Sequence, residues 1–276
     1  MIEKLTFPFT AVHGLKSKIN SVEYALYVVL PRDYIYTAQK YPVVFTTDPN
    51  FILGLLNGMF QSLRSMIPNS IIVGIGHVDL DFKELDQKSR DNKLDINRTR
   101  DFLPHKFKLK KYLNPDNDPA FNDELMKNAC KAENFKDFIL TEVIPFIDEK
   151  YRTQNSRTLI GHSFGGVFAL YMASNFTSVF QKYIIMSPVL DVENEFILDE
   201  ISNFDKTSQA KVYISLGELE ALYSSNKNFI SDLNRLKSKI DLLPNVDVEL
   251  EIFKNQYHAS VVPFALSNGL RFVNKE

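Results

Sequence analysis

The sequence lacks the features that mark several large classes of protein. It contains a single cysteine, Cys130, which excludes an intrachain disulfide and a cysteine-rich zinc site. No apolar run approaches the roughly 20 residues that a membrane-spanning helix needs. Neither a Gly-x-Gly-x-x-Gly sequence nor a phosphate-binding loop is present, and no cluster of side chains has the spacing of metal ligands. We therefore expect no cofactor, no bound metal and no membrane association.

An excess of charge of either sign is also lacking. The 32 basic and 34 acidic residues leave a net charge of −2, so nothing in the overall charge indicates a nucleic-acid partner. The first residues lack the basic start and the apolar stretch of a secretory signal, and we expect a cytoplasmic protein. Of the 276 residues, 45% are hydrophobic, which is enough for the core of one large α/β domain. No feature of the sequence indicates an oligomeric state.

Strand-like and helix-like segments alternate along most of the chain. Residues 3–9 and 22–30 are rich in strand formers and predict an antiparallel pair at the edge of a sheet, separated by a polar segment around residues 14–21. Because strands that alternate with helices are joined by right-handed crossovers, we expect a mostly parallel central sheet with helices on both faces. Further strands are predicted at residues 41–47, 69–76, 158–160, 182–186, 211–217 and 246–253, and helices at 52–66, 122–151, 167–175, 225–240 and 260–273.

Two segments fall outside this alternation. Residues 77–121 are polar, with scattered prolines and many charges, and they predict a long loop insertion beside a functional site. Residues 189–209 are mixed in character and predict a small cap. No pattern of domain size begins after either segment, so a single domain is expected over residues 1–276. Pro145 should kink or interrupt the helix predicted at 122–151.

A nucleophile elbow is predicted around Ser163. Residues 161–165, Gly-His-Ser-Phe-Gly, match Gly-x-Ser-x-Gly and lie between a predicted strand and a predicted helix, which is the context that such an elbow requires. The turn is so sharp that side chains two residues before and after the serine would collide with their surroundings, and glycine removes them. A helix that begins directly after Ser163 also points N–H groups and a positive dipole end at any oxyanion that forms there.

A serine hydroxyl is a weak nucleophile and needs a base that accepts its proton. The candidate base is His258, because it follows the last predicted strand, and the strand ends of an open α/β sheet form the active crevice. His162 lies beside the serine, where its side chain is expected to point away. The other three histidines fall in the predicted hairpin and at the polar loop; they are His13, His77 and His105.

The acid that orients the base should follow a strand between Ser163 and His258. Residues 216–220, Leu-Gly-Glu-Leu-Glu, occupy such a place. We favour Glu220, because a glycine followed by an acid three positions later is the usual layout at this turn, and Glu218 is the second choice. Either residue has the alternative of being a solvated loop carboxylate. Two weaker candidates lie in the predicted cap, Asp191 and Asp205.

Two backbone donors are needed for an oxyanion hole. The N–H of Phe164, directly after the nucleophile, is the first candidate. The second should come from the loop that follows the third strand. Pro49 has no N–H to give, so the next residue, Asn50, is the candidate there; its alternative is an ordinary turn asparagine.

Several motifs occur together along the chain. They are residues 41–48, 71–76, 98–104, 138–153, 157–171, 217–220 and 269–272, together with His258. In combination they resemble the esterase D and siderophore esterase group of α/β hydrolases, from nearly one end of the chain to the other. The resemblance implies a carboxylester hydrolase with Ser163 as nucleophile and His258 as base. The acid transfers least directly, because some siderophore esterases are described as working with a serine–histidine pair.

The chain departs from that group at two places. Asp48-Pro49 replaces the usual Asp-Gly, which bears on the second oxyanion donor, and the aromatic pair that often follows Ser187-Pro188 is absent, which bears on the substrate. Basic residues are in excess between 83 and 111. Arg98 and Arg100 among them predict a pocket wall for an anionic or metal-bound catecholate trilactone, and a solvated loop balanced by acids is the alternative.

The sequence thus predicts a serine carboxylester hydrolase that forms an acyl-enzyme with a small-molecule ester. An acyltransferase of the same fold would share every catalytic residue and differ only in whether an acceptor alcohol outcompetes water. A catalytically silent binding module would keep the fold without turnover. Both alternatives are open at the level of the sequence.

Overall fold

Strands and helices alternate through a computed structural model of the chain, which describes residues 9–78, 86–104, 109, 113, 118–175, 178–189, 209–223 and 229–275. The strands are β1 (Thr10–Lys16), β2 (Glu23–Val29), β3 (Tyr41–Thr47), β4 (Ile71–His77), β5 (Thr153–His162), β6 (Lys182–Met186), β7 (Ala210–Gly217) and β8 (Val246–Phe253). The helices are α1 (Pro49–Ser62), α2 (Gln87–Phe102), α3 (Pro119–Asn128), α4 (Ala132–Phe138), α5 (Ile144–Lys150), α6 (Phe164–Asn175), α7 (Glu220–Tyr223), α8 (Phe229–Ile240) and α9 (Val262–Val273).

Within the described residues, eight strands form one sheet in the order β1-β2-β4-β3-β5-β6-β7-β8. The pairs β1–β2 and β2–β4 are antiparallel, and every other pair is parallel. The predicted α/β-hydrolase sheet, mostly parallel with an antiparallel N-terminal pair, is therefore confirmed. Because β3, β5, β6, β7 and β8 run in the same direction, the loops that follow them meet at one edge of the sheet.

Helices cover both faces of the sheet, as the sequence predicted. One face packs against α1 and α9 through apolar side chains such as Ile52, Leu56 and Leu266. The other face packs against α2, α4, α6 and α8. Residues 167–170 of α6 are fully buried, because apolar residues occupy every side of this helix. The helix that follows the elbow is thus held in the interior on all sides, which fixes the residue at its start.

The first strand of the described residues begins after the segment that was predicted as a strand. Its bounds are Thr10–Lys16, whereas the prediction placed a strand at residues 3–9, of which 3–8 lie outside the described residues. Side chains of β1 alternate between exposed and half-buried positions, as expected for an edge strand with one solvated face. Gly14 and Lys16 fall on its exposed face, and this is why the segment reads as a polar connection.

The prediction of a continuous loop over residues 77–121 is wrong in its middle part, where the helix α2 lies. The Asp86 side chain caps this helix by accepting a hydrogen bond from the Ser89 N–H at 2.8 Å. Its buried positions include polar residues as well as Phe102, namely Asn97, Thr99 and Asp101. The apolar periodicity that reveals most amphipathic helices is therefore missing.

The helix predicted at 122–151 is divided into α3, α4 and α5. Cys130, with a φ of 60°, lies between α3 and α4, and a π-helical turn at Ile139–Val143 precedes α5. Pro145 is the second residue of α5, and the chain stays helical from α4 through the π-helical turn into α5, so the helix changes its hydrogen-bond pattern just before the proline and does not end there. Of the predicted cap at 189–209, residues 190–208 lie outside the described residues. None of the helices that the structure describes has the length and apolar character to cross a bilayer.

Candidate active site

Ser163 lies in a tight turn between β5 and α6. Its φ is 60°, in the left-handed region that residues other than glycine adopt rarely, and such strain is concentrated at functional sites. A Cβ atom at Gly161 would overlap the carbonyl oxygen of Gly165, and a Cβ atom at Gly165 would overlap the Thr47 hydroxyl. Both glycines of the motif are thus required by sterics, as the sequence predicted.

The imidazole of His258 is held by Glu220. His258 Nδ1 lies 2.6 Å from Glu220 Oε2, while Oε1 of the same carboxylate accepts hydrogen bonds from the Ser187 hydroxyl and the Gly217 N–H, each at 2.7 Å. Burial by itself would raise the pKa of Glu220, but the hydrogen bonds from His258, Ser187 and Gly217 outweigh it and hold that pKa below its usual value. An ionised carboxylate accepts only, so Nδ1 carries the proton and Nε2 is left to accept one.

Glu218, the second choice for the acid, has a different neighbour. Its Oε2 accepts a hydrogen bond from the main-chain N–H of Asn255 at 3.1 Å. The main chain around it is also bonded to the loop that carries His258, through Glu218 N to Phe253 O and Leu219 N to Gln256 O. Glu218 therefore contacts the backbone of the histidine loop, and Glu220 contacts the imidazole.

His162 also lies at this site, and the prediction that its side chain points away is wrong. Its Nε2 lies 2.8 Å from the carbonyl oxygen of His258, and the two imidazole rings have centroids 4.5 Å apart. Burial, together with the charge that His258 can carry, lowers the pKa of His162 to about 4. The ring is neutral at neutral pH, and its Nε2–H donates to the carbonyl. Sequence reasoning missed this contact because β8 and its loop are remote in the chain.

A cavity of about 410 Å³ brings Ser163, His162 and His258 together. Its opposite wall is apolar and comes from α1 and α9, with side chains of Phe51, Ile52, Leu55, Val262 and Pro263. A second cavity, of about 490 Å³, lies near Arg64 beyond the other end of α1 and contains none of the predicted site residues. Of these two cavities, the one at Ser163 joins a nucleophile, a base and space for an apolar group.

The structure separates the two arginines that were predicted to bind substrate. Arg98 lines the cavity at Ser163, and its guanidinium is paired with the Asp48 carboxylate. Arg100 is absent from the described lining of that cavity; its Nε and Nη2 lie 2.7 and 2.8 Å from the two oxygens of Asp101. Asp101 is fully buried and also accepts hydrogen bonds from His77 Nε2 at 2.7 Å and from the Tyr24 hydroxyl at 3.0 Å. Arg100 thus belongs to a buried polar cluster with Asp101, His77 and Tyr24.

The two predicted oxyanion donors begin helices. Phe164 is the first residue of α6, and Asn50 is the second residue of α1. N–H groups in the first turn of a helix have no acceptor within the helix and can point at an anion. The N–H of the next residue, Phe51, is already bonded to the carbonyl oxygen of Asp48. The side chain of Asn50 is exposed, so the candidate donor of Asn50 is its main-chain N–H. Among the residues that the structure covers, no group of three His, Cys, Asp or Glu side chains is arranged to hold a metal ion.

Comparison with known proteins adds to this geometry. Residues 17–239 match the family described as "Putative esterase". Ferri-bacillibactin esterase BesA of Bacillus subtilis (strain 168) is 27% identical over 281 residues, covering 97% of this chain and 90% of that protein. The siderophore enterobactin esterase of Emericella nidulans is 40% identical over 170 residues, covering 52% of this chain and 56% of that protein.

Solved structures share the fold. The BES protein from Bacillus cereus has a TM-score of 0.81 and 24% identity, covering all of both chains. The siderophore hydrolase EstB from Aspergillus nidulans has a TM-score of 0.76 and 20% identity, covering 99% of this chain and 97% of that one. These likenesses show that the chain has the α/β-hydrolase fold.

Proposed function

Because the chain belongs to the putative esterase family, and is a carboxylic ester hydrolase, we propose that Ser163, His258 and Glu220 form its catalytic triad. The observation that carries this proposal is the 2.6 Å contact between His258 Nδ1 and Glu220 Oε2, made by a histidine that lines the same cavity as Ser163. That contact selects the tautomer whose Nε2 can accept the serine proton, which is the arrangement a base of this kind needs.

The reaction then proceeds through an acyl-enzyme. His258 takes the proton from the Ser163 hydroxyl as its oxygen attacks the ester carbonyl, and Glu220 stabilises the imidazolium that results. The N–H groups of Phe164 and Asn50 donate to the oxyanion of the tetrahedral intermediate. His258 protonates the departing alcohol, and then activates the water that releases the acid and restores Ser163.

We infer that the substrate is a small ester of the siderophore class. Two relatives carry the names of a ferri-bacillibactin esterase and a siderophore enterobactin esterase, which supports this choice. The apolar wall of the cavity supports a substrate with a planar or aliphatic acyl group beside the scissile bond. Hydrolysis is favoured over acyl transfer and over a silent binding module because the family and these relatives are esterases. The cytoplasmic location stays a prediction, which cell fractionation tests.

Substitution of the nucleophile tests the triad. Ser163→Ala should abolish hydrolysis of p-nitrophenyl acetate and labelling by a fluorophosphonate probe, with an unchanged thermal unfolding temperature. Ser238→Ala, on the exposed side of α8, is the matched control and should keep the wild-type rate. Turnover by Ser163→Ala at the wild-type rate would show that another residue is the nucleophile.

A panel of esters tests the substrate. We expect kcat/KM for a ferric catecholate trilactone to exceed that for p-nitrophenyl acetate. The iron-free trilactone and its linear trimer, assayed alongside, separate recognition of the metal complex from recognition of the ester. Equal or lower kcat/KM for every trilactone form would remove the siderophore assignment and leave the esterase assignment standing. Product analysis with an added alcohol acceptor distinguishes acyl transfer from hydrolysis.

A further inference from the structure

The guanidinium of Arg98 touches both loops that supply the proposed oxyanion donors. Its Nε and Nη2 lie 3.0 and 3.1 Å from the two carboxylate oxygens of Asp48, the residue that precedes Pro49 and Asn50. Its Cζ lies 5.6 Å from the centroid of the Phe164 ring. A single side chain on α2 therefore bridges the start of α1 and the start of α6.

The backbone at Asp48 needs such support. Its φ of 49° is left-handed, a strained conformation for a residue with a side chain, which persists only where the surroundings impose it. The ring of the following Pro49 packs into the space left by two glycines of β4. A Cβ atom at Gly74 would lie 2.6 Å from Pro49 Cβ, and one at Gly76 would lie 2.9 Å from Pro49 Cγ. The proline ring is thus held by its packing against β4, and the Asp48 carboxylate is held by Arg98.

The Asp48 carboxylate also packs against the elbow. A Cβ atom at Gly165 would lie 3.3 Å from Asp48 Oδ2, so the carboxylate occupies the space between the guanidinium and the turn that carries Ser163. The side chains of Arg98 and Asp48 are only 14% and 4% exposed. A buried bidentate pair fixes both the position and the orientation of the Asp48 carboxylate, because the planar guanidinium of Arg98 bonds both of its oxygens.

We propose that Arg98 is a positioning residue for the oxyanion hole. Through Asp48 it fixes the main chain that carries the Asn50 N–H, and through the Phe164 ring it fixes the residue that carries the first donor. This role rests on the proposed serine hydrolase function. It differs from the direct substrate contact that the sequence predicted for Arg98, because the fork is already engaged by Asp48.

Kinetics with a neutral ester distinguish the two roles. Arg98→Lys keeps the positive charge but cannot make the bidentate contact. With p-nitrophenyl acetate, and with rates normalised to the sites labelled by a fluorophosphonate, we expect kcat to fall about 10- to 100-fold while KM stays within about twofold, because displaced oxyanion donors act on the transition state. Arg64→Lys, at an exposed arginine beyond the other end of α1, should leave kcat unchanged.

Two further measurements address the oxyanion hole itself. Asp48→Asn should lower kcat in the same way, and the Arg98→Lys/Asp48→Asn double variant should be about as slow as the slower single variant, because both changes break one contact. The affinity of a trifluoromethyl ketone, whose adduct with Ser163 places an oxyanion in the hole, should fall in parallel with kcat/KM.

Wild-type kcat in Arg98→Lys would overturn the positioning role. So would a rise in KM confined to anionic esters, which would identify Arg98 as a substrate contact, or additive effects of the two single changes. A wild-type protein that hydrolyses no ester would overturn the proposed function as well, whereas normal wild-type turnover together with an unaffected Arg98→Lys variant would overturn the positioning role alone.

Discussion

His162 donates a hydrogen bond from Nε2 to the carbonyl oxygen of His258 at 2.8 Å, and the two rings lie 4.5 Å apart. The bond joins the elbow to a loop 96 residues later in the chain. The bond requires a proton on Nε2, and because the pKa of His162 is lowered to about 4, the ring that donates it is neutral at neutral pH. His258 is therefore held at its side chain by Glu220 and at its main chain by His162.

Two substitutions at His162 separate the hydrogen bond from the volume of the ring. His162→Gln places an N–H donor at about the same distance from the backbone, whereas His162→Leu fills the space without a donor. We expect kcat on p-nitrophenyl acetate to fall roughly 10-fold or more in His162→Leu and less in His162→Gln, because a displaced base costs rate. Equal kcat in both variants would show that the hydrogen bond does not position His258.

The lowered pKa of His162 also affects stability. An unfolded chain takes up a proton on this imidazole near pH 6.5, while the folded protein does so only near pH 4, so acid favours the unfolded state between these values. Relative to His162→Gln, the wild type should lose up to about 3 kcal/mol of unfolding free energy as the pH falls from 6.5 to 4, at about 1.4 kcal/mol per pKa unit. Urea unfolding across this range measures the difference, and parallel pH profiles would contradict it.

Substitution of the two candidate acids, Glu220 and Glu218, should affect kcat very differently. Glu220→Gln keeps the size of the side chain but removes the charge that orients His258 and stabilises its protonated form. We expect a loss in kcat of roughly 10²- to 10⁴-fold. Glu218→Gln, two residues away, should change kcat less than about threefold, because an amide oxygen can still accept from the Asn255 N–H. Steady-state kinetics of the pair decide the matter, and a larger loss in Glu218→Gln would reverse the assignment.

Removal of the Glu220 carboxylate should also change how the stability of the protein depends on pH. The lowered pKa of Glu220 means that its ionised form stabilises the fold above the unfolded value of 4.5 and that this contribution is lost as the pH falls through the folded value. Glu220→Gln should therefore show a shallower loss of stability on acidification below about pH 5 than the wild type. Chemical unfolding at several pH values measures the slope, and identical slopes would contradict the prediction.

Glycine substitutions test the sterics of the elbow. Gly161→Ala should abolish activity and lower the unfolding temperature, because the new methyl group would overlap the Gly165 carbonyl. Gly54→Ala, at an exposed position of α1 where an added Cβ meets no atom within 4 Å, should stabilise the protein by about 0.5–1 kcal/mol and leave activity unchanged. Thermal unfolding and p-nitrophenyl acetate assays measure both effects. A soluble, active Gly161→Ala variant would show that the turn can relax.

Prediction from the sequence succeeded where the pattern is local. The bounds of β6 and β8 are those predicted, Lys182–Met186 and Val246–Phe253. The sequence of β6 is a short apolar run and that of β8 alternates in character, and both patterns are typical of strands. It failed at α2, whose buried positions hold polar side chains, and at β1, whose exposed face includes Gly14 and Lys16. At α2 the polar side chains are buried because they contact other segments, as Asp101 does with His77.

The sequence by itself determined the elbow at Ser163, since the clash that excludes a side chain at Gly161 arises within the motif, and it determined the alternation that builds a parallel sheet, whereas the clash at Gly165 comes from the distant Thr47. Only the tertiary structure decided which carboxylate meets His258, why His162 faces the cavity and why Arg98 and Arg100 lie in different surroundings. Those outcomes depend on distances between segments that are far apart in the chain. Periodicity along one segment carries no information about such distances, because they depend on the order of the strands in the sheet and on which loops that order brings to the same edge.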